Sequence, residues 1–520
     1  MLKEKIKKFL NSNYLVYFII VLISLLCFIF INNTKNKFTK EDIDLNSDLS
    51  SKYVEIDLTF VDFVENISSP IFPNNICNIS DYGAIKINSE VENHNVESFK
   101  KAIEDCSNKG GGTVKVPVGE WLLNGPIHFK SNINLFLEEG SIITFSSEPT
   151  DYIPVVKTRY EGMELMNFSL MIYIPDCVNV AITGKGIIQK NNNPNGWNDF
   201  KEKETEAKRR LYNMFLEDVA VENRIFGKVD DYIRTSFIQP YNSKNVLIEN
   251  VTVKDGPMWT IHSLYTENLI IRNVNIETSA PNTDGIAIDS SKNVLIENNN
   301  IRSGDDAIVI KSGRDKDGWR VGKSSENIVI RNNIVEESHG AVTIGSEMSG
   351  DVRNVFVEDL IVEKSNNGLR IKTKAGRSGI IENVVFRNIL IKNSDKEAIK
   401  INFRYGGEDS ETTKEPEMRN IEFCDIKIIN NGKKTIIRFK GFKNKVNGVL
   451  FKNIQVEGEK IFVKLKDINN INFKNVSIPF FEIENSLDIK IINDNDCPKV
   501  TQENSRVDVD CDNWFIKKFF

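Results

Sequence analysis

Over most of the chain, short stretches of aliphatic residues alternating with polar ones run for a few positions, break at a polar pair, and resume. Alternation with a period of two describes strands that turn one face inward. From Asn179 onward the pattern recurs as a unit opening on asparagine. The copies are NVLIENVTV from Asn245, NLIIRNVNI from Asn268, NVLIENNNI from Asn293, NIVIRNNIV from Asn327, NVFVEDLIV from Asn354, NVVFRNILI from Asn383, NIEFCDIKI from Asn420 and NINFKNVSI from Asn470. The first seven start 23, 25, 34, 27, 29 and 37 residues apart. Strands recurring at this interval, without the helical periodicity of ankyrin or TPR arrays, predict an all-β solenoid, a single-stranded parallel β-helix whose loops absorb the differences in length. A lone strand cannot bury its apolar face, so rungs roughly 4.8 Å apart must stack to close a core. The recurring asparagine is expected to be structural, forming amide ladders at the turns. One helix is predicted ahead of the array: Phe99, Ala102, Ile103 and Cys106 fall at i, i+3, i+4 and i+7, with Asn95 as N-cap and the glycines from Gly110 to Gly112 ending it. Its expected place is a cap over the open N-terminal end of the solenoid.

The N-terminal region has a different pattern. Lys3, Lys5, Lys7 and Lys8 precede an uncharged apolar run from Tyr14 to Ile31, which as a helix would reach about 27 Å, enough to span a bilayer. No small-x-small cleavage site follows, so the run reads as an uncleaved signal anchor, a cleaved signal peptide being the alternative. Lys35, Lys37 and Lys40 beyond it leave the flanking charge only weakly asymmetric. The expected organisation is an anchor over 1–31 and a polar juxtamembrane linker with leading strands over 32–74, where Tyr53 to Val64 alternates. The β-helix follows over 75–495 and a tail over 496–520. The bulk of the chain is expected outside the cytoplasm, anchored to the membrane, or secreted if the anchor is removed.

Composition adds limits. With 40% hydrophobic and 27% charged residues, a disordered chain is excluded and one continuous core over 520 residues is feasible. The net charge of -6 gives nucleic acid no general attraction, and an acidic ligand would need a local basic patch. The seven cysteines are too sparse for a disulfide framework and show no CxxC metal spacing. Cys497 and Cys511 flank a short loop and can pair in an oxidising compartment; burial as small hydrophobes is the alternative. A monomer is expected.

Four segments interrupt the repeat with polar residues at similar offsets: NTDGIAID (Asn282 to Asp289), GDDAIVIK (Gly304 to Lys311), SHGAVTIG (Ser338 to Gly345) and GLRIKTK (Gly368 to Lys374). Aligned on their aliphatic positions, Ile286, Ile308, Val342 and Leu369 take equivalent inward sites on successive rungs. Asp284 then stacks on Asp306, Asp305 shares the preceding column with His339, and Arg370 and Lys372 point outward on the next rung. Three carboxylates this close cannot all ionise at their ordinary pKa, so one should hold its proton. A proton donor beside carboxylates that activate water is the equipment for hydrolysing a glycosidic bond with inversion. Arg370 and Lys372 would hold an acidic sugar. Singly, each element is ordinary: NTDG and GDD are common turns, a lone histidine is usually structural, and two cations make a solvated strand face. Their convergence over four rungs is what points to a site.

These residues resemble the polygalacturonase family of glycoside hydrolases, family 28. Its signatures N-T-D, G/Q-D-D, G-H-G and R-I-K are matched in order by Asn282 to Asp284, Gly304 to Asp306, Ser338 to Gly340 and Arg370 to Lys372, with Ser338 in place of the first glycine of the third. The resemblance extends over about residues 75–480 and includes DYGA at Asp81, GGGTVKVPVG from Gly110 and ITGKGII from Ile182. It implies a right-handed, pectin-lyase-like β-helix and single-displacement hydrolysis of α-linked galacturonic acid in pectic polysaccharide without metal or cofactor. Carried over residue by residue, it makes Asp305 the general acid supported by His339, and Asp284 and Asp306 the pair that positions and deprotonates water. Arg370 and Lys372 would bind the substrate carboxylate, with Asn282 and Lys311 also at the substrate. The insertion SGRDKDGWRVG after Lys311 and IGSEMSG from Ile344 look like bacterial exo-acting members, and Arg314, Arg320 and Glu347 would then shape the subsite receiving a chain end. The competing readings are a related hydrolase on rhamnogalacturonan or unsaturated oligogalacturonides, a Ca²⁺-dependent β-helical pectate lyase, and a β-helix adhesin without activity.

Overall fold

The computed structural model describes residues 64–87, 95–191, 196–406, 414–429, 435–442, 445–458, 461–493 and 497–511, with Asp62 and Asn193. The apolar run from Tyr14 to Ile31, the linker and most of the Tyr53–Val64 stretch lie outside them. Among the described residues no helix is long and apolar enough to cross a membrane.

The strands form a parallel β-helix. Each rung contributes a strand to a first sheet, a short strand to a second and a strand to a third, all paired in parallel with the rungs before and after. In the first sheet, the strands opening on asparagine run in register: Val246, Leu269, Val294, Ile328, Val355, Val384 and Ile421 are successive partners. All seven are buried in the main core. Toward the C-terminal end, Phe386, Phe423, Phe451 and Phe473 stack with ring centroids 4.8 Å apart, the rung spacing itself.

The asparagine ladder is present. Asn245, Asn268, Asn293, Asn327, Asn354, Asn383 and Asn420 each donate through Nδ2 to Oδ1 of the asparagine one rung earlier, at 2.9–3.1 Å. Each has φ between 52° and 59°. Asparagine tolerates this left-handed conformation and its amide both donates and accepts, which explains its recurrence at a turn that must repeat.

Helix α1 (Val96–Asn108) buries Phe99, Ala102, Ile103 and Cys106 against the first rungs, as the spacing predicted. Asn95 precedes it but makes no side-chain cap. Its amide instead bonds both the N–H and the C=O of Ile85 and the C=O of Leu122, tying the helix to the chain around it. The strand expected up to Val64 is also corrected: Val64 and Glu65 are helical. Val64 covers an outward-facing apolar row on the first sheet, Leu247, Ile270, Leu295, Val329 and Phe356. The boundary at 495 moves too. Lys499–Glu503 and Val507–Cys511 pair with the preceding rung and extend the solenoid, with Cys497 and Cys511 joined as a disulfide.

Two insertions interrupt the turn from the second sheet to the third. One is the hairpin of Val156–Tyr160 and Met163–Asn167. The other carries helix α2 (Trp197–Leu216) and the short strand Ile225–Phe226, which pairs with the hairpin. A third insertion, between the third sheet and the first, forms helix α3 (Asp315–Val321). Tyr160, Met163, Leu165, Leu211, Phe215 and Phe226 make the insertions' own small core, hereafter the cap.

Candidate active site

The third sheet sets the geometry. Ile286 pairs with Ile308, Ile308 with Val342, and Val342 with Leu369, the register read from the alternation. Asp284 and Asp306 therefore share one column, and Asp305 and His339 the column before it. The backbone agrees: Gly285 N–H donates to Asp306 C=O at 2.9 Å, and His339 N–H to Asp305 C=O at 2.9 Å. Extended one rung back, the pairing of Ile261 with Ile286 puts Trp259 in the column of Asp284. One rung beyond Asp306, the same column holds Gly340, where a Cβ would lie 2.5 Å from Asp306 Oδ1. The histidine motif sits within the strand Ile334–Gly345 and not in a turn, and Ser338 there has no positive φ, so serine fits where the family has glycine.

The three carboxylates occupy different environments. Burial, then the neighbouring charges of Asp305 and Asp306, pushes Asp284 well above the ordinary carboxylate range. Burial also pushes Asp305 up, but the hydrogen bond with His339 and the charges of Lys372 and Lys311 outweigh it and leave Asp305 below its ordinary value. His339 Nδ1 lies 3.3 Å from Asp305 Oδ1 with its ring half exposed, and that bond raises the imidazole's pKa. Asn282 donates from Nδ2 to Asp305 Oδ2 at 3.2 Å. Asp306, 1% exposed, holds Lys372 Nζ at 2.8 Å on Oδ2, with Arg370 Nη1 3.7 Å from Oδ1. Among the described residues Asp306 Oδ1 is buried without a hydrogen-bond donor. The surroundings of Asp284 thus favour its protonated form, and those of Asp305 favour its carboxylate.

The remaining predicted residues divide. Lys311 is buried, donating to Glu347 Oε2 at 2.9 Å with its ammonium 4.7 Å from the Trp259 ring centroid. Burial opposes its charge, but Glu347 and Asp284 outweigh that and raise its pKa. Burial likewise opposes the charge of Glu347, and Lys311 and Arg377 overcome it, holding the carboxyl far below its usual range. Arg314 lies at the cap, 3.8 Å from Glu161 and 5.3 Å from the Tyr212 ring. Arg320 is not brought to the carboxylates: it pairs with Glu164 of the hairpin and with Asp317 at 3.2 Å, clamping α3 to the cap.

Several residues near the site were missed in the sequence. Arg234, 2% exposed, donates to Asn282 Oδ1 at 2.8 Å and contacts Glu204 of α2. Arg159, fully buried, holds Asp289 at 2.6 Å. Tyr405 lies 5.4 Å below the charges of both Arg370 and Lys372. Trp259 had a signal, because MWTIHSL aligns with TDGIAID on the same inward positions. Arg234, Arg159 and Tyr405 lie in segments with no motif.

The family described as glycosyl hydrolases family 28 matches residues 106–478. A hyperthermoactive exopolygalacturonase from Thermotoga maritima, a crystal structure, superposes with a TM-score of 0.69 at 36% identity, covering 88% of this chain and 96% of that one. A probable polygalacturonase of Vitis vinifera is 28% identical over 323 residues, 60% of this chain, and the match spans 60% of that protein's length. The exo-poly-alpha-D-galacturonosidase of Dickeya chrysanthemi is 24% identical over 436 residues, 77% of this chain and 70% of that one. The matched span includes the cap and every rung that carries the carboxylates, histidine and cations, and by that match this chain belongs to family 28 of the glycosyl hydrolases.

Proposed function

We propose that the chain hydrolyses α-1,4-galacturonosidic bonds of pectic galacturonan, with inversion and from a chain end. The observation that carries the exo reading is closure on one side of the carboxylates. Trp259 precedes Asp284 in their column, and the cap buries the outward side chains of Ala287 and Val309 on the two rungs that bear Asp284 and Asp306. Two rungs beyond Asp306 the equivalent positions hold Arg370 and Lys372. A polyanion thus meets cations on one side of the carboxylates and a wall on the other, which suits a chain end and not the middle of a polymer. The exo-acting names of the Thermotoga and Dickeya relatives support the same reading.

In this mechanism Asp305 is the general acid, and it shares a proton with His339. Transfer across the 3.3 Å between Nδ1 and Oδ1 turns imidazolium and carboxylate into imidazole and neutral carboxylic acid, which donates to the glycosidic oxygen. A uronate carboxylate beside Arg370 and Lys372 offsets the positive charge that keeps Asp305 ionised, so substrate itself favours the acid form. Asp306 orients the attacking water, and Asp284, once its own proton has passed to solvent, takes up the single proton that the water loses. Lys311, Glu347 and Arg314 lie on the closed side, where Arg314 is the more exposed cation and Lys311 is buried against Glu347.

Following product sizes from polygalacturonate over time tests the assignment. Galacturonic acid as the sole early product, with slow loss of viscosity, is expected; an early ladder of oligomers overturns exo action, and no product from any pectic polymer overturns the substrate. NMR of the newly formed reducing end should show the β-anomer first, and retention would contradict the water-activating roles. The apolar N-terminal run supports export with a membrane anchor. Cell fractionation of the full chain should place activity in the membrane pellet, and activity in the medium would overturn anchoring.

A further inference from the structure

We infer that Arg234 is a positioning residue for the proton-donating carboxylate, acting through Asn282, and that helix α2 holds Arg234 in place through Glu204. The inference rests on the reading of Asp305 as the general acid.

Arg234 lies between the cap and the catalytic rungs, and nearly every donor on its guanidinium is used. Nη1 donates to the C=O of Pro257 at 3.1 Å and of Pro281 at 2.8 Å. Nε and Nη2 donate to Glu204 Oε2 at 3.3 and 3.2 Å, and Nη2 also donates to Asn282 Oδ1 at 2.8 Å. Pro257 and Pro281 belong to the loops that lead into Ile261–Leu264 and Ile286–Asp289, so one side chain pins the loops of two successive rungs. A planar fork of five donors can do this, whereas an ammonium cannot reach four acceptors spread across its plane.

The consequence falls on Asn282. Its Oδ1 accepts from Arg234, so its Nδ2 must face Asp305 Oδ2, as the 3.2 Å contact records. The opposite orientation of the amide would set its carbonyl against a carboxylate and its NH₂ against a guanidinium. Arg234 therefore fixes which way the amide points. With Oδ2 of Asp305 committed to that amide, Oδ1 beside His339 is the oxygen that carries the transferable proton. Glu204 anchors the other end. It is buried in α2, where Tyr160, Lys201 and Lys208 also hold it, at 3.1, 2.6 and 2.9 Å. The relay from Glu204 through Arg234 and Asn282 to Asp305 ties the cap that closes the cleft to the orientation of the acid.

The test compares two substrates. Trigalacturonate needs its leaving oxygen protonated, whereas 4-nitrophenyl α-D-galacturonide expels a stable phenolate with little help from an acid. Arg234→Lys keeps the charge and removes the fork. It should lower kcat on trigalacturonate by about 30-fold with KM little changed, yet lower kcat on the aryl substrate by less than about threefold. Glu204→Gln should show the same selectivity in smaller measure, and it carries the test should Arg234→Lys not fold. Equal losses on both substrates, or none on either, overturn the relay. Asp305→Asn separates this from the reading beneath it. A selective loss there with a non-selective Arg234→Lys rejects only the relay, and a non-selective loss in Asp305→Asn rejects Asp305 as the acid.

Discussion

Replacing Gly340 by alanine should damage catalysis more than stability. Gly340 follows the histidine of the third motif and stacks in the column of Asp284 and Asp306. A Cβ there would lie 2.5 Å from Asp306 Oδ1 and 2.3 Å from Thr343 Oγ1, where ordinary contact begins at 3.4 Å. Each neighbour must therefore give by about 1 Å to reach a normal contact distance. Thr343 is fully buried, and Asp306 is tied to Lys372 at 2.8 Å, so neither moves without breaking something else. Overpacking of this kind costs about 1–3 kcal/mol, and displacing a catalytic oxygen by ~1 Å costs on the order of 100-fold in rate. Reducing-sugar release from trigalacturonate, read as kcat and KM, should show that loss mainly in kcat, with a modest fall in Tm. A variant with kcat within twofold of the parent and an unchanged Tm would refute the argument that the glycine exists to make room for Asp306.

The pH dependence of kcat/KM should be bell-shaped. Asp284 works as a base only when ionised and its pKa is raised, so the acid limb should lie clearly above the ~3.9 of a free aspartate. The alkaline limb should report loss of the proton that His339 and Asp305 share, at a value above the ~6.5 of a free histidine, because Asp305 raises that of His339. An acid limb at the ordinary aspartate value would contradict this. Asp284→Asn should lower kcat by about 10²–10⁴-fold and yet raise Tm at neutral pH. With its folded pKa above the unfolded one, the native state binds this proton more tightly, so ionising Asp284 costs stability as pH rises through the raised value. The gain should vanish below pH ~3.9, where folded and unfolded forms are both protonated; a lower Tm at pH 7 would count against it. Asn293→Ala removes a ladder bond on each side, at 3.0 and 3.1 Å, and leaves alanine at φ 59°. A destabilisation of about 2–4 kcal/mol is expected by urea denaturation, with Asn293→Gly milder because glycine accepts the turn.

The solenoid was legible because its signal is local and repeated. Alternation fixes which residues face inward, and once Ile286, Ile308, Val342 and Leu369 are set as equivalents, the columns of Asp284 with Asp306 and of Asp305 with His339 follow from the rung geometry. The asparagine ladder was legible for the same reason. Contacts between distant segments were not. Arg234 reaches Asn282 across 48 positions, and Arg159 reaches Asp289 across 130, with no period in either segment to mark them. Asn95 looked like a cap because it precedes a helix, and only the packing of Ile85 and Leu122 beside it directs its amide elsewhere.

The division between sequence and tertiary structure follows from how far each force reaches. A period of two and a recurrent asparagine are properties of a few neighbouring residues, so strand faces, rung register and the membership of each column were determined by the chain itself. The covering of Ala287 and Val309 by the insertions and the unequal acidity of Asp284 and Asp305 were not. Trp259, the hairpin and α2 wall off one side only once the insertions fold over Ala287 and Val309. The pKa of Asp284 is raised and that of Asp305 lowered because burial acts on both, while His339, Lys372 and Lys311 offset it at Asp305. Desolvation and charge are sums over everything nearby in space, and Asp284 and Asp305, with the same side chain, become different acids only when that space exists.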